Sequence, residues 1–341
     1  MAAAKAPLSA RPRLRAWSGS NVLAGALALS TAACGRYWVC DEVDEERISR
    51  APQRLSETGL FTDTARGILE PAVKAYAPRF ELWSDGATKR RWWWIPKETR
   101  IDTSDMDSWV FPVGTKFWKE FTRDGLRVET RLLEKVAPDQ WVALAYLWRD
   151  DQSDADAVPF GAIDAAGTQH DVPASNECGA CHGGRKSFVL GFAAIQLSSA
   201  PEGEPDLAAL SAAGLLTAPP AASYEVPGSE IESAALGYLH ANCSHCHHQN
   251  RPERSGARCF DPESELDFSL SVNALGTPQD TATYRSAVGS VVEPGRPEES
   301  RLLEPVSRRG FFKQMPPLAT ERVDGTAKIL LERWIREMSP P

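Results

Sequence analysis

The chain has 341 residues, of which 42% are hydrophobic and 25% are charged, and its formal net charge is −8. At about 150 residues per domain, this length suggests two domains and permits one. The composition excludes a disordered, collagen-like or polytopic membrane protein. The acidic charge argues against a nucleic-acid partner, because such binding depends on clustered cations that displace phosphate counterions.

The N-terminal segment has the pattern of a secretory signal peptide. Four basic residues and no acidic residue precede an uncharged, apolar-rich run over residues 22–33. This run is shorter than the roughly 20 residues that a membrane-spanning helix needs. Small residues at its end suit cleavage just before Cys34. We therefore predict a signal peptide over residues 1–33 and an exported tether over residues 34–54; the alternative is a frayed N-terminus of a cytosolic protein.

The proposed cleavage site, Ser-Thr-Ala-Ala-Cys34, also resembles a bacterial lipobox. That resemblance implies acylation of Cys34 once it becomes the N-terminal residue. We therefore expect the protein in the periplasm, or held at the inner or outer membrane by a lipid anchor.

Short apolar runs separated by Pro, Gly and Asp predict a β-rich domain over residues 55–198. Eight of the eleven tryptophans fall between Trp83 and Trp148, and we expect most of them in the core of a sheet. A Pro-, Ala- and Ser-rich stretch predicts a linker over residues 199–228, with a short helix near residues 206–216. The predicted strands cover residues 92–95, 109–111, 115–121, 127–133 and 141–148.

Two Cys-x-x-Cys pairs, each followed directly by a histidine, are the most informative motifs. The first motif is Cys178-Gly-Ala-Cys181-His182, and the second is Cys243-Ser-His-Cys246-His247. This is the attachment pattern of c-type haem. Each thiol bonds one vinyl group of the porphyrin, and the histidine supplies the proximal imidazole ligand of the iron. We therefore predict two covalently bound haem c groups.

The same cysteine pairs allow two alternatives. A four-cysteine zinc site would have to join pairs that begin 65 residues apart, and it would leave both histidines unexplained. Redox disulfides usually open a helix after a strand in a thioredoxin-like unit, a pattern that this sequence lacks. Cys40 and Cys259 are left over, and in an oxidising compartment they could pair with each other.

The second motif lies in a helical context that predicts a domain over residues 229–341. Ser229 and Glu232 form a capping-box pattern that opens a helix leading to this motif. The helix places Ala235, Leu239 and Cys243 on one face, because they recur at four-residue steps. A last helix is predicted to begin at Asp324.

This pair of helices resembles class I cytochrome c. In that family the first and last helices cross and pack, and a methionine on the loop before the last helix is the sixth iron ligand. The resemblance therefore implies that Met315, which stands before two prolines, is the sixth ligand of the haem bound at His247. A thioether is a soft ligand that suits low-spin haem iron.

Strings along residues 50–341 resemble a family of bacterial dihaem c-type cytochrome proteins. The resemblance covers both haem motifs and Met-Pro-Pro-Leu318, and it implies haem content and export more than a particular reaction. The strings are Leu55-Ser-Glu-Thr-Gly-Leu-Phe61, Leu82-Trp-Ser-Asp-Gly-Ala87, Lys89-Arg-Arg-Trp92, Phe111-Pro-Val-Gly-Thr115, Glu129-Thr-Arg-Leu-Leu133 and Tyr146-Leu-Trp-Arg-Asp-Asp-Gln152.

The first half also resembles, more weakly, the β-rich hydroxylamine-oxidising cytochromes. The similarity lies in Phe-Pro-Val-Gly-Thr115, then Lys116 and Lys119, then strands and a late haem motif. It implies an iron at the first motif with an open or water-filled sixth position. The other candidates for that position are His170 and Met106.

These observations predict an α+β protein with an N-terminal β-rich haem domain followed by a small all-α class I cytochrome c domain. The expected function is electron transfer between periplasmic or membrane redox proteins, with iron ligands His182, His247 and Met315. The alternative is a haem enzyme that uses an open first haem on a peroxide or a nitrogen oxide, with the second haem as relay; no catalytic residue is assigned. Lys89 and its neighbours Arg90 and Arg91 are either partners of haem propionates or, as we expect, surface charge beside a sheet.

Overall fold

The structure is a computed structural model that describes residues 45–183, 186–249, 265–310 and 314–339. The predicted signal peptide, most of the tether, the lipidation site Cys34, and Cys40 and Cys259 lie outside these residues. Helices account for 26% and strands for 20% of the residues, which confirms the mixed α+β class.

A six-stranded antiparallel sheet organises the first half. Each strand pairs with the next one along the chain, in the order β3-β4-β5-β6-β7-β8, and a separate two-stranded sheet pairs β1 with β2. The strands are β1 Phe61–Asp63, β2 Ile68–Leu69, β3 Lys74–Ala75, β4 Thr88–Trp94, β5 Lys116–Arg123, β6 Leu126–Ala137, β7 Gln140–Trp148 and β8 Ala155–Ala157.

Alternate residues of the strands build a core on each face of the sheet. On one face, Trp92 and Trp118 are 1% exposed and pack with Trp148. On the other face, Trp93 joins Trp109 in a second cluster. These five buried residues confirm that most of the tryptophans lie in the core.

The strand predicted at residues 109–111 is wrong. Val110 makes only an isolated bridge with Asp102, while Trp109 and Phe111 are buried among aromatic rings of the second cluster. The apolar character of this segment therefore comes from core packing by a loop rather than from a strand. The other four predicted strands correspond to β4, β5, β6 and β7.

Helices occupy mainly the second half of the chain. Ser229 caps helix α5 (Glu230–Asn242) and forms the predicted capping box with Glu232, whose backbone N–H donates to the Ser229 hydroxyl at 3.2 Å. Asp324 caps helix α8 (Gly325–Glu337) by accepting from the Ala327 N–H at 2.9 Å. The helices are α1 Glu45–Ser49, α2 Cys178–His182, α3 Ala194–Leu197, α4 Leu207–Ala212, α5 Glu230–Asn242, α6 Ala282–Ala287, α7 Leu303–Val306 and α8 Gly325–Glu337.

The predicted packing of the two capped helices is present. Ala235 and Leu239 of α5 lie in one buried cluster with Leu331, Trp334 and Ile335 of α8, and all five side chains are fully buried. The short helix expected near residue 206 is α4, which Asp206 caps through a bond from the Ala209 N–H.

The loop before β4 is hydrogen-bonded to α5 and to the segment just before α8. The Trp83 N–H donates to the Asn242 side chain at 2.7 Å, and the Trp83 indole donates to the Arg322 carbonyl at 3.0 Å. Asp85 accepts from the N–H groups of Glu321 and Arg322. One loop of the first half is therefore bonded to the end of α5, just before the second motif, and to the chain just before α8.

Gly237 lets α5 pack closely against Phe80 of this loop. A Cβ at residue 237 would lie 2.1 Å from the Phe80 ring. We expect Gly237→Ala to lower the free energy of unfolding by about 1–3 kcal/mol, since overpacking a rigid ring forces shifts in the core. Chemical denaturation measures the change. Gly325→Ala is the matched control, because nothing lies within 4 Å of the added methyl group; an equal loss in both variants would contradict the prediction.

Candidate functional site

The first motif forms a single helical turn, α2, with His182 at its end. The Nδ1 atom of His182 lies 2.7 Å from the carbonyl oxygen of Phe188. Because a carbonyl only accepts, Nδ1 carries the proton, and Nε2 is the nitrogen left for a metal. Burial lowers the pKa of His182 to about 4, so its imidazole is neutral near pH 7, as a metal ligand must be.

The second motif continues directly from α5. Cys243 is the C-cap residue, and its N–H donates to the Leu239 carbonyl. The N–H of His247 donates to the Cys243 carbonyl at 2.9 Å, so a helical turn carries the motif. The His247 ring packs edge-on against Phe268 at 5.7 Å between centroids. Both histidines therefore follow their cysteines on one turn, the geometry that the attachment pattern requires.

The fold brings the two motifs into contact. The Cys246 sulfur lies 3.8 Å from the carbonyl oxygen of Ala180, inside the first motif. Ligand atoms of Cys181, His245 and Cys246 lie within 4.8 Å of one another. The sequence did not predict this group; His245, inside the second motif, is a histidine whose position beside two thiols only the fold reveals.

The thiols of the two motifs differ in acidity. Burial raises the pKa of Cys178 to about 11 and that of Cys243 to about 12. Hydrogen bonding to Cys246, with smaller contributions from nearby histidines, lowers the pKa of Cys181. In redox Cys-x-x-Cys sites the attacking thiol has a depressed pKa, so the first cysteine of each pair here does not fit that use.

The contact also bears on the four-cysteine zinc alternative. Only Cys181 and Cys246 belong to the group of ligand atoms that the structure brings together. Cys178 and Cys243, the first cysteines of the two pairs, are not members of it, and the third donor is His245. The arrangement therefore does not reproduce the four-cysteine set.

Met315 lies on the segment between α7 and α8 and is half-buried. Its N–H donates to the Pro305 carbonyl at 3.0 Å, and its carbonyl accepts from Arg309. These bonds fix the backbone at this position. Iron ligation by the Met315 sulfur remains a prediction.

The two other candidates for the sixth position at the first motif have partners. The Nε2 atom of His170 lies 2.6 Å from a carboxylate oxygen of Glu129. Burial raises the pKa of Glu129, but the stronger combined effect of Arg131 and His170 lowers it to about 2. Glu129 is therefore ionised near pH 7. Met106 packs against the aromatic cluster around Trp109.

The expectation of surface charge at residues 89–91 is wrong for two of the three residues. The side chains of Lys89 and Arg91 are 6% exposed, and both pair with Glu81. Arg90 points to the opposite face, and its side chain is 62% exposed. The strand alternation places Lys89 and Arg91 on the buried face and Arg90 on the other, a placement that charge alone does not predict.

No protein-family model, curated protein or solved structure matches this chain. Within the described ranges, the structure has no helix that is long and apolar enough to cross a membrane.

Proposed function

We propose that the protein is an exported dihaem c-type cytochrome that transfers electrons between periplasmic or membrane redox partners. The proposal is carried by one observation, the contact between two complete Cys-x-x-Cys-His motifs through Cys181 and Cys246. It includes a β-rich haem domain over residues 55–198, a linker over residues 199–228 and a small class I cytochrome c domain over residues 229–341.

The residues fit haem c in several respects. The pairs Cys178/Cys181 and Cys243/Cys246 would hold the two groups, His182 and His247 would be proximal ligands, and Met315 would be the sixth ligand of the second iron. His182 already has its Nδ1 atom bonded to a carbonyl, which fixes the ring orientation and the tautomer that a proximal ligand needs.

Bound haem supplies reversible one-electron oxidation and reduction at its iron. The protein contributes two attachment sites that touch, which suits a relay better than two separate carriers. In this proposal the N-terminal export signal and the lipid anchor at Cys34 place the protein at the membrane or in the periplasm. Redox partners would then dock through small, transient interfaces.

The test is the number of haems bound per chain after expression with a haem c maturation system. We expect two covalent haems by pyridine haemochrome assay and by intact mass. Replacing Cys178 and Cys181 by alanine should leave one haem, and so should replacing Cys243 and Cys246. A count of one in the unaltered protein, with Cys178 and Cys181 free, would show that the first motif is not a haem site.

A haem enzyme is the second candidate function. The observation that favours it is the pairing of His170 with Glu129 at 2.6 Å, which engages the candidate histidine for the sixth position at the first motif. An iron with only His182 from the protein would be open to a small molecule such as a peroxide or a nitrogen oxide.

The group of Cys181, His245 and Cys246 also favours a third, non-haem candidate, a zinc site with an open fourth position. This candidate uses one cysteine of each pair and leaves His182 and His247 without a metal role. The haem count above separates the zinc candidate from both haem candidates. A zinc protein would show no Soret band and would contain one zinc per chain by metal analysis.

A further inference from the structure

A row of cations crosses the sheet on a single face. Strand pairing places Arg91 of β4 directly opposite Lys119 of β5, and Lys119 directly opposite Arg131 of β6. Residues directly opposite one another project from the same face, and like charges in such positions destabilise a sheet. A buried row of this kind therefore needs anions to balance it.

Two carboxylates of the chain balance part of this charge. Glu129 is fully buried and binds Arg131 through two bonds of 2.9 and 2.6 Å. Glu81 pairs with Arg91 at 3.0 Å and with Lys89 at 3.5 Å. Together with Lys89, the three cations of the row therefore outnumber the two carboxylates that pair with them.

Among the described residues, no carboxylate pairs directly with Lys119, although Glu129 attracts it from a longer distance. The Lys119 side chain is half-buried. Its ammonium nitrogen lies 4.8 Å from the centre of the Phe121 ring, and the guanidinium of Arg131 lies 4.5 Å from the same ring. Burial and the neighbouring cations hold the pKa of Lys119 well below its usual range.

The segment that follows the first motif packs on the same face of the sheet. Phe188, whose carbonyl binds His182, stacks on Trp141 of β7 at 6.0 Å. Phe192 packs against Phe117, two residues before Lys119, at 5.1 Å. The charge of Lys119 is close enough to contribute to the lowered pKa of His182. The row of cations is therefore next to the first haem motif.

We propose that Lys119, flanked by Arg91 and Arg131, forms the site that binds the propionate carboxylates of the haem attached at Cys178 and Cys181. This inference rests on the proposed function. Haem c carries two propionates, and their carboxylates would supply negative charge to this row. Arg131 has five N–H donors and Glu129 uses two of its nitrogens, so donors remain for a second carboxylate.

The test compares Lys119→Gln with the dihaem protein by spectroelectrochemistry and resonance Raman spectroscopy. Loss of a nearby positive charge stabilises the ferric state, so the potential of one haem should fall while the other is unchanged. The propionate bending band of one haem should shift as its partner is lost. Lys119→Arg, which keeps the charge and the donors, should restore both the potential and the band.

Arg90→Gln is the matched control, since Arg90 is a cation beside Arg91 on β4 that projects from the opposite face. It should leave both readouts unchanged. A haem count below two would count against the proposed function itself. With two haems bound, the propionate site is wrong if the potential of neither haem moves in Lys119→Gln. The propionate site is also wrong if the potential falls in Lys119→Gln while the propionate band is unchanged. That result would mean that Lys119 acts on the haem through its charge without contacting a propionate.

Discussion

Replacing Met315 by alanine should lower the potential of one haem and abolish the weak far-red band that is typical of methionine-ligated ferric haem. A thioether is a soft ligand that favours ferrous iron. Axial ligands set haem potentials over a range of about 0.8 V, so loss of one is among the largest effects that a single substitution can have here. Spectroelectrochemical titration of the variant and the parent protein measures the shift.

The substitution should leave the backbone of this segment unchanged. The Met315 N–H and carbonyl bond Pro305 and Arg309, and neither bond uses the Met315 side chain. His247 and the two cysteines of its motif are untouched, so the haem should stay attached. Met338→Ala is the control, because Met338 packs at the end of α8 in the cluster of that helix. An unchanged spectrum and potential in Met315→Ala would mean that another residue ligates the second iron.

Local signals in the sequence predicted the elements around the second motif well. The capping residues of α5 and α8 act on N–H groups only three residues away, so their patterns are visible without any tertiary information. The cysteine motifs are equally local, because the two thiols and the histidine that would serve one haem stand within five consecutive residues. These features could be predicted because the partners are neighbours in the chain.

Long-range placement could not be predicted in the same way. The segment around Asp154 and Asp156 suggests a solvated loop. However, Asp154 is 8% exposed and binds the backbone and hydroxyl of Ser56, 98 residues away, while Asp156 lies in β8. The contact of His245 with the first motif has the same cause. In both cases the partner is distant in sequence, and only the fold brings it near.

The same limit applies to the row of cations. Arg91, Lys119 and Arg131 look like ordinary charges of three separate strands, and nothing in their spacing along the chain joins them. The antiparallel register aligns them, and the loop after the first motif then covers the face on which they lie. Only this combination places unbalanced positive charge beside the proposed haem site.

Carbon monoxide should bind one ferrous haem per chain, the one attached at the first motif. It needs an iron with an open sixth position. His170 is engaged by Glu129 at 2.6 Å, and Met106 packs in the aromatic cluster, so neither candidate ligand is placed to close that position. The haem with Met315 as ligand should resist. Stopped-flow mixing of the reduced protein with carbon monoxide gives the number of binding haems and their rates.

Two variants sharpen this experiment. Met315→Ala should raise the number of haems that bind carbon monoxide from one to two, because it opens the second iron. His170→Ala should leave the number at one; a rise to two would show that His170 leaves Glu129 and ligates the first iron. An open first haem is required for chemistry on a peroxide or a nitrogen oxide. If neither haem of the unaltered protein binds carbon monoxide, the enzyme alternative fails in its simple form and electron transfer alone stands.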